Sequence, residues 1–377
     1  MIRVGITGQS GFVGTHLFNT LGLYCDEFER IMFKDEFFQS EEALRQFVKQ
    51  CDVIVHLAAM NRHQYPHVLY ETNINLVNQL IRALEDEHVR PHLLFSSSTQ
   101  EERENEYGNS KRKGRELLEQ WAKRNNTSFT GLVLPNVYGP FGLPYYNSFI
   151  ATFCYKMTHG ENPQVIEDSD IRLIYVGSLC NHIIEKIRNV QKMELPVIER
   201  YELPYDFEKK VSEILLLFEK FKSQYFEYGY IPELKDRDDL NLFNTFRCYI
   251  DNINYFPVKL VKSLDARGLF VETIKLVIVG QVSYSSTVPG FTRGNHYHTR
   301  KIERFIVIKG KALIQLRKIG TDNVLNLYLD GEEPSYVDIP IWYTHNIKNC
   351  GSEELYTQFW INEWFNPDDS DTFYENV

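Results

Sequence analysis

Over the first 190 residues short apolar runs alternate with longer helix-patterned ones: IRVGIT then FVGTHLFNTLGL, IMF then EEALRQFVKQ, DVIVHLAA then NINLVNQLIRALEDE, and finally HLLFSSS. A chain written this way has few options, because strands separated by helices pair in parallel and carry the helices on the faces of their sheet. VIVHLAA and LLFSSS are apolar without alternation, which predicts strands buried on both faces. From about residue 195 to 245 the text turns aromatic and helical, as in VSEILLLFEKFKSQYFEYGYI, and a charged stretch, ELKDRDDLN, follows. The period then becomes that of strands: VKLVKSL, LFVETIKLVIVGQVSYSS, RFIVIKGKALIQLRKI, VLNLYL and ELYTQFWINEWF, separated by Gly, Asn or Asp turns. The expected fold is an α/β doubly wound parallel sheet over residues 1–247, followed by an all-β antiparallel barrel or sandwich over residues 248–377. With 377 residues, 43% of them hydrophobic, the chain has material for both cores.

The strand Ile2–Thr7 enters its helix through Thr7-Gly8-Gln9-Ser10-Gly11-Phe12-Val13-Gly14. Glycines at this point permit a tight turn and let backbone N–H groups at a helix N-terminus approach a pyrophosphate. Further on, Tyr107 and Lys111 stand four apart in YGNSK, on one face of a helix. A nearby ammonium stabilises a phenolate, so Lys111 is expected to lower the Tyr107 pKa from its ordinary value of about 10. Ahead of them Ser96-Ser97-Ser98-Thr99 ends a buried strand, where a hydroxyl can bind a substrate carbonyl oxygen.

In the C-terminal half, GFTRGNHYHTRKIERFIVIKG carries His296 and His298 two apart, so both imidazoles leave the same face of a strand. Glu303 follows after a short turn, and His345, after Pro340, lies on a returning strand. Three imidazoles and a carboxylate suit a divalent metal. Zinc is expected from the imidazole-rich set, with Mn, Fe, Co and Ni as alternatives. The six cysteines show no CxxC pairing, so neither disulfides nor cysteine ligands are expected.

Residues 1 to about 245 resemble the extended short-chain dehydrogenase/reductase family, with its Rossmann sheet, on the ordered set TGQSGFVG, His56-Leu57-Ala58-Ala59, Asn73, FSSS, YGNSK, LPNVYGP and IRLIYVGSL. The resemblance implies that Tyr107 is the proton donor, Lys111 its electrostatic partner and ribose anchor, and Ser98 the carbonyl-binding hydroxyl, with Ser97 and Thr99 as rivals. It implies that Gly8, Gly11, Phe12, Val13, Gly14, Ala58 and Asn73 line the cofactor, and that Asn136 and Arg172 contact a sugar nucleotide. Only eight residues separate Ser98 from Tyr107, where many relatives carry a longer substrate loop. After the second strand, EFERIMFKDE has no acidic residue at the strand end but offers Arg30 and Lys34, so NADPH is the expected cofactor, with Lys34 on its ribose phosphate.

The C-terminal half resembles the cupin family, a jelly-roll barrel, on Gly290, His296, His298, Glu303 and Gly310, and then on Pro340, His345 and Asn349. Trp342 stands where the second motif usually has glycine. A narrower resemblance, on Asp265-Ala-Arg267-Gly268-Leu-Phe270-Val-Glu272 and Thr292-Arg293-Gly294-Asn-His296, is to sugar-nucleotide 3,5-epimerases built on a cupin barrel. It implies that His296 removes a proton beside a ketone and that Arg267 and Arg293 bind the diphosphate. Those epimerases carry a lysine at the position of Glu303; a carboxylate there favours a metal, and one imidazole does not serve as ligand and base at once.

Over nearly its whole length the chain resembles the CapF-like bifunctional enzymes of bacterial capsule and O-antigen synthesis. The resemblance implies epimerisation at carbon 3 of a UDP-linked 4-keto-6-deoxy-N-acetylhexosamine, then NADPH-dependent reduction at carbon 4 to UDP-N-acetyl-6-deoxy-L-talosamine. Two alternatives stay open: a reductase whose cupin only dimerises or senses, and an NAD-recycling 4,6-dehydratase or 4-epimerase. A net charge of −10 argues against nucleic acid and anionic membranes as partners. No apolar run of about 18 residues occurs and Met1 leads directly into a strand, so no membrane insertion, no signal peptide, a cytoplasmic location and a homodimer are expected.

Overall fold

The computed structural model describes residues 1–190, 192–266, 268–276 and 280–377. Its Cα packing forms two units, Met1–Phe149 with Ser169–Lys210, and Ile150–Asp168 with Val211–Val377.

In the first unit the chain runs β1 (Ile2–Thr7), α1 (Phe12–Gly22), β2 (Phe28–Ile31), α2 (Glu41–Lys49), β3 (Val53–His56), α3 (Pro66–Asp86), β4 (His92–Ser98), α4 (Glu106–Asn125), β5 (Phe129–Leu134) and β6 (Asn136–Tyr138). After α5 (Phe149–Thr158), which falls mostly in the second unit, come β7 (Asp170–Tyr175), α6 (Val176–Val190), β8 (Ile198–Glu202) and β9 (Phe207–Lys210). Six strands form a parallel sheet in the order β2-β1-β3-β4-β5-β8. Alternate residues feed two cores, as expected for a doubly wound sheet. Val4, Ile6, Val53, Val55 and Leu94 pack on the α1 and α6 side, with Leu17, Leu21, Ile183 and Ile187. Ile54, Leu93 and Phe95 pack on the α2, α3 and α4 side, with Phe47, Leu80, Leu84, Leu118 and Trp121.

Strand order reverses between β1 and β3, whose ends meet at Thr7 and His56. That switch point opens a crevice at the carboxyl edge of the sheet. Local chemistry starts α4 just beyond it: Asn105 caps the helix by accepting from the Gly108 amide at 2.8 Å, and Lys123 and Arg124 occupy its last turn.

The second unit adds α7 (Val211–Lys222), β10 (Tyr230–Ile231) and α8 (Arg237–Arg247) to strands β11 (Val258–Lys259), β12 (Lys262–Asp265), β13 (Gly268–Val271), β14 (Lys275–Leu276), β15 (Gln281–Thr287), β16 (Thr292–Tyr297), β17 (Glu303–Lys309), β18 (Lys311–Lys318), β19 (Val324–Asp330), β20 (Ser335–Ile339), β21 (Tyr343–Asn349), β22 (Leu355–Ile361) and β23 (Phe373–Tyr374). Ten of these strands form two antiparallel sheets, β11-β20-β17-β22-β15 and β19-β18-β21-β16-β23. In β18, Ala312, Ile314 and Leu316 are buried at alternate positions, as a sheet with one covered face requires. β20 is buried at every position. Its outer face meets the helical segment, where the Tyr225 hydroxyl donates to Asp338 and Arg247 donates to the Ile339 carbonyl at 3.1 Å.

These units do not divide at 247/248. The helices of 211–247 bury Phe218, Phe221, Phe243 and Phe246 in the second unit, and α5 joins them. Within the stretch expected to be helical, β8 instead extends the parallel sheet of the first unit, pairing Phe129–Val133 with Ile198–Glu202.

Candidate active sites

The glycine turn fills the switch-point crevice. Gly8 has φ +69°, and a Cβ there would lie 2.8 Å from the Ala58 amide nitrogen; at Gly14 it would lie 2.2 Å from the Gly8 carbonyl oxygen. Helix α1 has no side-chain cap on Gly11 and no acidic residue in its first turn, so the amides after Gly11 face the crevice with their partial positive charge uncompensated. Gly8, Gly11, Phe12, Val13, Gly14 and Ala58 therefore come together in a turn too tight at Gly8 and Gly14 for extra side-chain atoms.

Asn73 has a different position. Its amide is committed to Met60 N and O at 2.7 and 3.0 Å and to the Ser110 hydroxyl at 3.0 Å. It shapes the crevice by tying the loop after β3 to α4. Lys34 is exposed, directly after Phe33, whose amide donates to Gln9. The acidic residue that seemed lacking beyond β2 is Asp35, which accepts from the Ser10 hydroxyl at 2.6 Å. Arg30 lies over the Phe18 ring and donates to the Phe18 carbonyl, away from the crevice.

At the end of β4 the structure separates the hydroxyl rivals. Ser96 donates to the His56 carbonyl at 3.3 Å, Ser97 is tied to buried Glu101, and Thr99 is exposed. Ser98 is half-buried and accepts from the Gln100 amide at 3.2 Å, an interaction that leaves its hydroxyl proton available. Lys111 reaches back from α4 to donate to the Ser96 carbonyl at 2.9 Å, with its ammonium 5.7 Å from the Tyr107 ring centre.

The expected lowering of the Tyr107 pKa is corrected here. Burial pushes the phenol up to about 12, with Tyr146 adding to the rise, whereas burial brings Lys111 down to about 8 against the opposing charge of Glu101. Desolvation governs the phenol, and the Lys111 ammonium 5.7 Å from its ring centre does not reverse the rise. On the three-stranded sheet β6-β7-β9, the Asn136 amide approaches the Arg172 carbonyl at 3.5 Å. Arg172 is exposed, pairs with Glu208 at 3.3 Å and lies over the Tyr205 ring.

In the second unit His296, His298, Glu303 and His345 converge, with one potential ligand atom from each lying within 4.8 Å of the others. His296 on β16 faces His345 on β21 across the ladder, and Glu303 comes from β17 in the opposite sheet. One Glu303 oxygen lies 3.2 and 3.1 Å from the Nε2 atoms of His298 and His345. The outer nitrogens are fixed by backbone carbonyls: His298 Nδ1 donates to Asp371 at 2.6 Å and His345 Nδ1 to Tyr343 at 3.2 Å. Those bonds turn both Nε2 lone pairs inward when the rings are neutral, the arrangement of metal-bound histidines. Ligand atoms around an ion at roughly 2.1 Å lie at most about 4.2 Å apart, so the cluster, spread over 4.8 Å, would need only a small contraction to hold one divalent cation.

Burial alone pushes Glu303 up, but the two imidazoles outweigh it and hold the carboxyl well below its ordinary range. Burial and the neighbouring imidazoles bring His296 down to about 4. For His298 burial acts downward, yet Glu303 leaves its pKa raised.

Trp342 adopts φ +61°, a left-handed backbone that glycine takes most readily. Its ring stacks on Tyr297 at 5.7 Å and its amide donates to the His298 carbonyl at 2.7 Å, which gives the turn an aromatic wall. Arg293 is exposed and held by Thr287 and the Ser286 carbonyl, both at 3.0 Å. Arg267 lies outside the described residues. Asp371, the partner of His298, had no motif to announce it.

Residues 4–194 match the NAD dependent epimerase/dehydratase family, and residues 263–373 match the polysaccharide biosynthesis C-terminal domain. The chain is 30% identical to a UDP-2-acetamido-2,6-beta-L-arabino-hexul-4-ose reductase of Pseudomonas aeruginosa, over 99% of this chain and 98% of that one. CapF of Staphylococcus aureus, a capsular polysaccharide assembling protein, is 32% identical with both chains covered completely and a TM-score of 0.62. RMD from Pseudomonas aeruginosa, solved with NADPH, shares the fold at 18% identity and a TM-score of 0.52, over 59% of this chain and 82% of that one. The chain thus belongs to the NAD dependent epimerase/dehydratase family, in the CapF-like form that carries a polysaccharide biosynthesis domain at its C-terminal end.

Proposed function

We propose that the chain is a bifunctional UDP-sugar enzyme: its C-terminal module epimerises carbon 3 of a UDP-4-keto-6-deoxy-N-acetylhexosamine, and its N-terminal module reduces the 4-keto group, giving UDP-N-acetyl-6-deoxy-L-talosamine for capsule or O-antigen synthesis. The observation that carries this is one chain holding both a hydroxyl–phenol–ammonium set at a dinucleotide crevice and a three-histidine, one-carboxylate cluster between sheets. A full-length relative named as a keto-sugar reductase supports the substrate class. As functional modules we take residues 1–247 and, as a cupin barrel, residues 248–377. The acting form is a cytoplasmic homodimer.

In the reductase, Ser98 donates to the ketone oxygen and Tyr107 delivers the proton that makes it a hydroxyl. Lys111 holds positive charge beside them. Asn136 and Arg172 bind the sugar nucleotide, with the guanidinium suited to a phosphate oxygen. NADPH, which supplies the hydride, would be held by the amides after Gly11, by Gly8 and Ala58, and by Lys111 and Lys34. Replacing Lys34 by alanine is expected to raise the KM for NADPH about tenfold and to leave that for NADH within about twofold, as loss of one charge-assisted bond to the 2′-phosphate requires. Equal effects on both cofactors would remove Lys34 from that role.

In the epimerase, His296, His298, Glu303 and His345 would hold one divalent cation, zinc by donor chemistry, whose Lewis acidity stabilises the enolate of a ketone. A neutral His296 either completes that ligand set or takes the carbon-3 proton. Arg293 and Arg267 bind the diphosphate.

A second reading keeps the reductase and makes the C-terminal module a metal-stabilised binding and dimerisation unit. The name of the Pseudomonas relative, which specifies reduction alone, favours it. Incubation with the 4-keto sugar in deuterated water, followed at carbon 3 by NMR, separates the two. Deuterium at carbon 3 without NADPH, and a 4-hydroxy product with it, is the expected result. Reduction without deuterium supports the second reading. Turnover without net NADPH consumption would point to a dehydratase or 4-epimerase and overturn both.

A further inference from the structure

The segment from residue 369 to 376 touches the backbone around three of the four clustered side chains. β23 pairs with β16, setting Tyr374 opposite His296 and Phe373 opposite Tyr297. The Glu375 amide donates to the Asn295 carbonyl at 3.0 Å, and Thr344, beside His345, donates to the Glu375 carbonyl. Arg300 and Lys301 reach Asp369 and the Ser370 carbonyl.

At the centre of this strap is Asp371, 5% exposed, with φ +42°. One carboxylate oxygen accepts from the Thr299 amide and hydroxyl at 3.1 and 2.6 Å. The other accepts from the amides of Arg300 and Lys301 at 3.0 and 2.9 Å. Three successive backbone N–H groups thus close on one anion, in the turn that joins His298 to Glu303. From the opposite end of the same residue, the carbonyl receives His298 Nδ1 at 2.6 Å. An aspartate tolerates a left-handed backbone better than most residues, and here that backbone lets side chain and carbonyl reach the two sides of one turn.

We propose that Asp371 is a positioning residue for the cation site: its carboxylate locks the 299–301 turn while its carbonyl sets the tautomer and ring angle of His298. The inference rests on the reading of the four-residue cluster as a metal site and goes beyond it by naming what holds the site in shape. Asp371→Gly keeps the backbone conformation and the carbonyl and deletes only the carboxylate. In the full-length chain titrated with zinc against a chromophoric chelator, this variant is expected to bind the ion roughly 5- to 10-fold more weakly, less than the loss of the outer partner itself because the carbonyl on His298 stays while the turn that aims the ring is released. The melting midpoint of the metal-free protein is expected to fall by only a few degrees. A simple structural latch would lower that midpoint and leave zinc affinity within twofold, which overturns the proposal. Should Asp371→Gly fail to fold, Thr299→Ala takes the test, because it removes one of four contacts and leaves the three amides; a loss of about threefold is expected, and unchanged affinity overturns the proposal. A wild-type chain that binds no zinc sinks the metal-site reading itself, and this inference with it.

Discussion

Replacing Tyr107 by phenylalanine is expected to slow reduction of the 4-keto sugar about 10²- to 10⁴-fold in single-turnover NADPH oxidation, the range lost with a general acid. The substitution removes one oxygen from a half-buried ring, so neither folding nor NADPH affinity should change by more than about threefold. Carbon-3 exchange in deuterated water should persist, since His296, His298, Glu303 and His345 are untouched. The phenol makes a fitting acid because it is held protonated: burial keeps its pKa up near 12, while Lys111, brought down to about 8 by burial, is still mostly an ammonium at neutral pH. Lys111→Met should lose a comparable factor and also weaken NADPH binding. Reduction by the phenylalanine variant within tenfold of wild type would show that the proton comes from elsewhere, with Ser98 the first group to test.

Asp338→Ala is expected to destabilise the C-terminal unit by about 3–5 kcal/mol, the cost of leaving a buried charge without its partner. Arg304 and Asp338 face each other across β17 and β20, 1% and 0% exposed, and share two hydrogen bonds of 2.6 and 2.8 Å. Tyr225 donates to the same carboxylate, and the Tyr336 ring lies 3.8 Å under the guanidinium. In calorimetry the midpoint of this unit should fall by roughly 10 °C. Replacing both partners, Arg304→Met with Asp338→Leu, should recover most of the loss, because apolar groups of similar volume need no solvation. If the single variant melts within about 2 °C of wild type, the pair contributes little.

The acid dependence has a defined sign. Burial raises the Asp338 pKa, but Arg304 more than offsets it, so the folded-state value is lowered. The contribution of the pair is therefore complete above about pH 4, the unfolded carboxyl value, and is lost only as the pH falls towards the lower folded value.

Local features were legible in the sequence and cooperative ones were not. Gly8, Gly11 and Gly14 announce a close backbone approach wherever they occur between strand and helix, and β3 and β4 could be read as doubly buried because burial leaves its mark residue by residue. His296, His298, Glu303 and His345 were found together because their spacing and strand period bring them to one face and one return strand. By contrast, VIERYE carries no strong strand period, and its membership of the parallel sheet depends on the edge that β5 leaves open. Arg304 and Asp338 lie 34 residues apart in sequence, each looking like an ordinary surface charge until the helices of 211–247 cover them. The direction of the Tyr107 shift was missed for the same reason: the sequence shows the neighbouring ammonium but not the depth of burial.

Because the second unit takes residues 150–168 from the middle of the chain and the rest from beyond residue 210, its assembly is spread out in time on the ribosome. Helix α5 emerges with Ile150, Phe153 and Met157 seeking cover, yet the helices that pack with it begin more than 50 residues further on, at Val211, and the last strand of its unit, Phe373–Tyr374, more than 200 residues on. At about 5–20 residues per second the unit is complete only roughly 10–40 s after this helix is made, so α5 passes that interval with its apolar face incompletely covered.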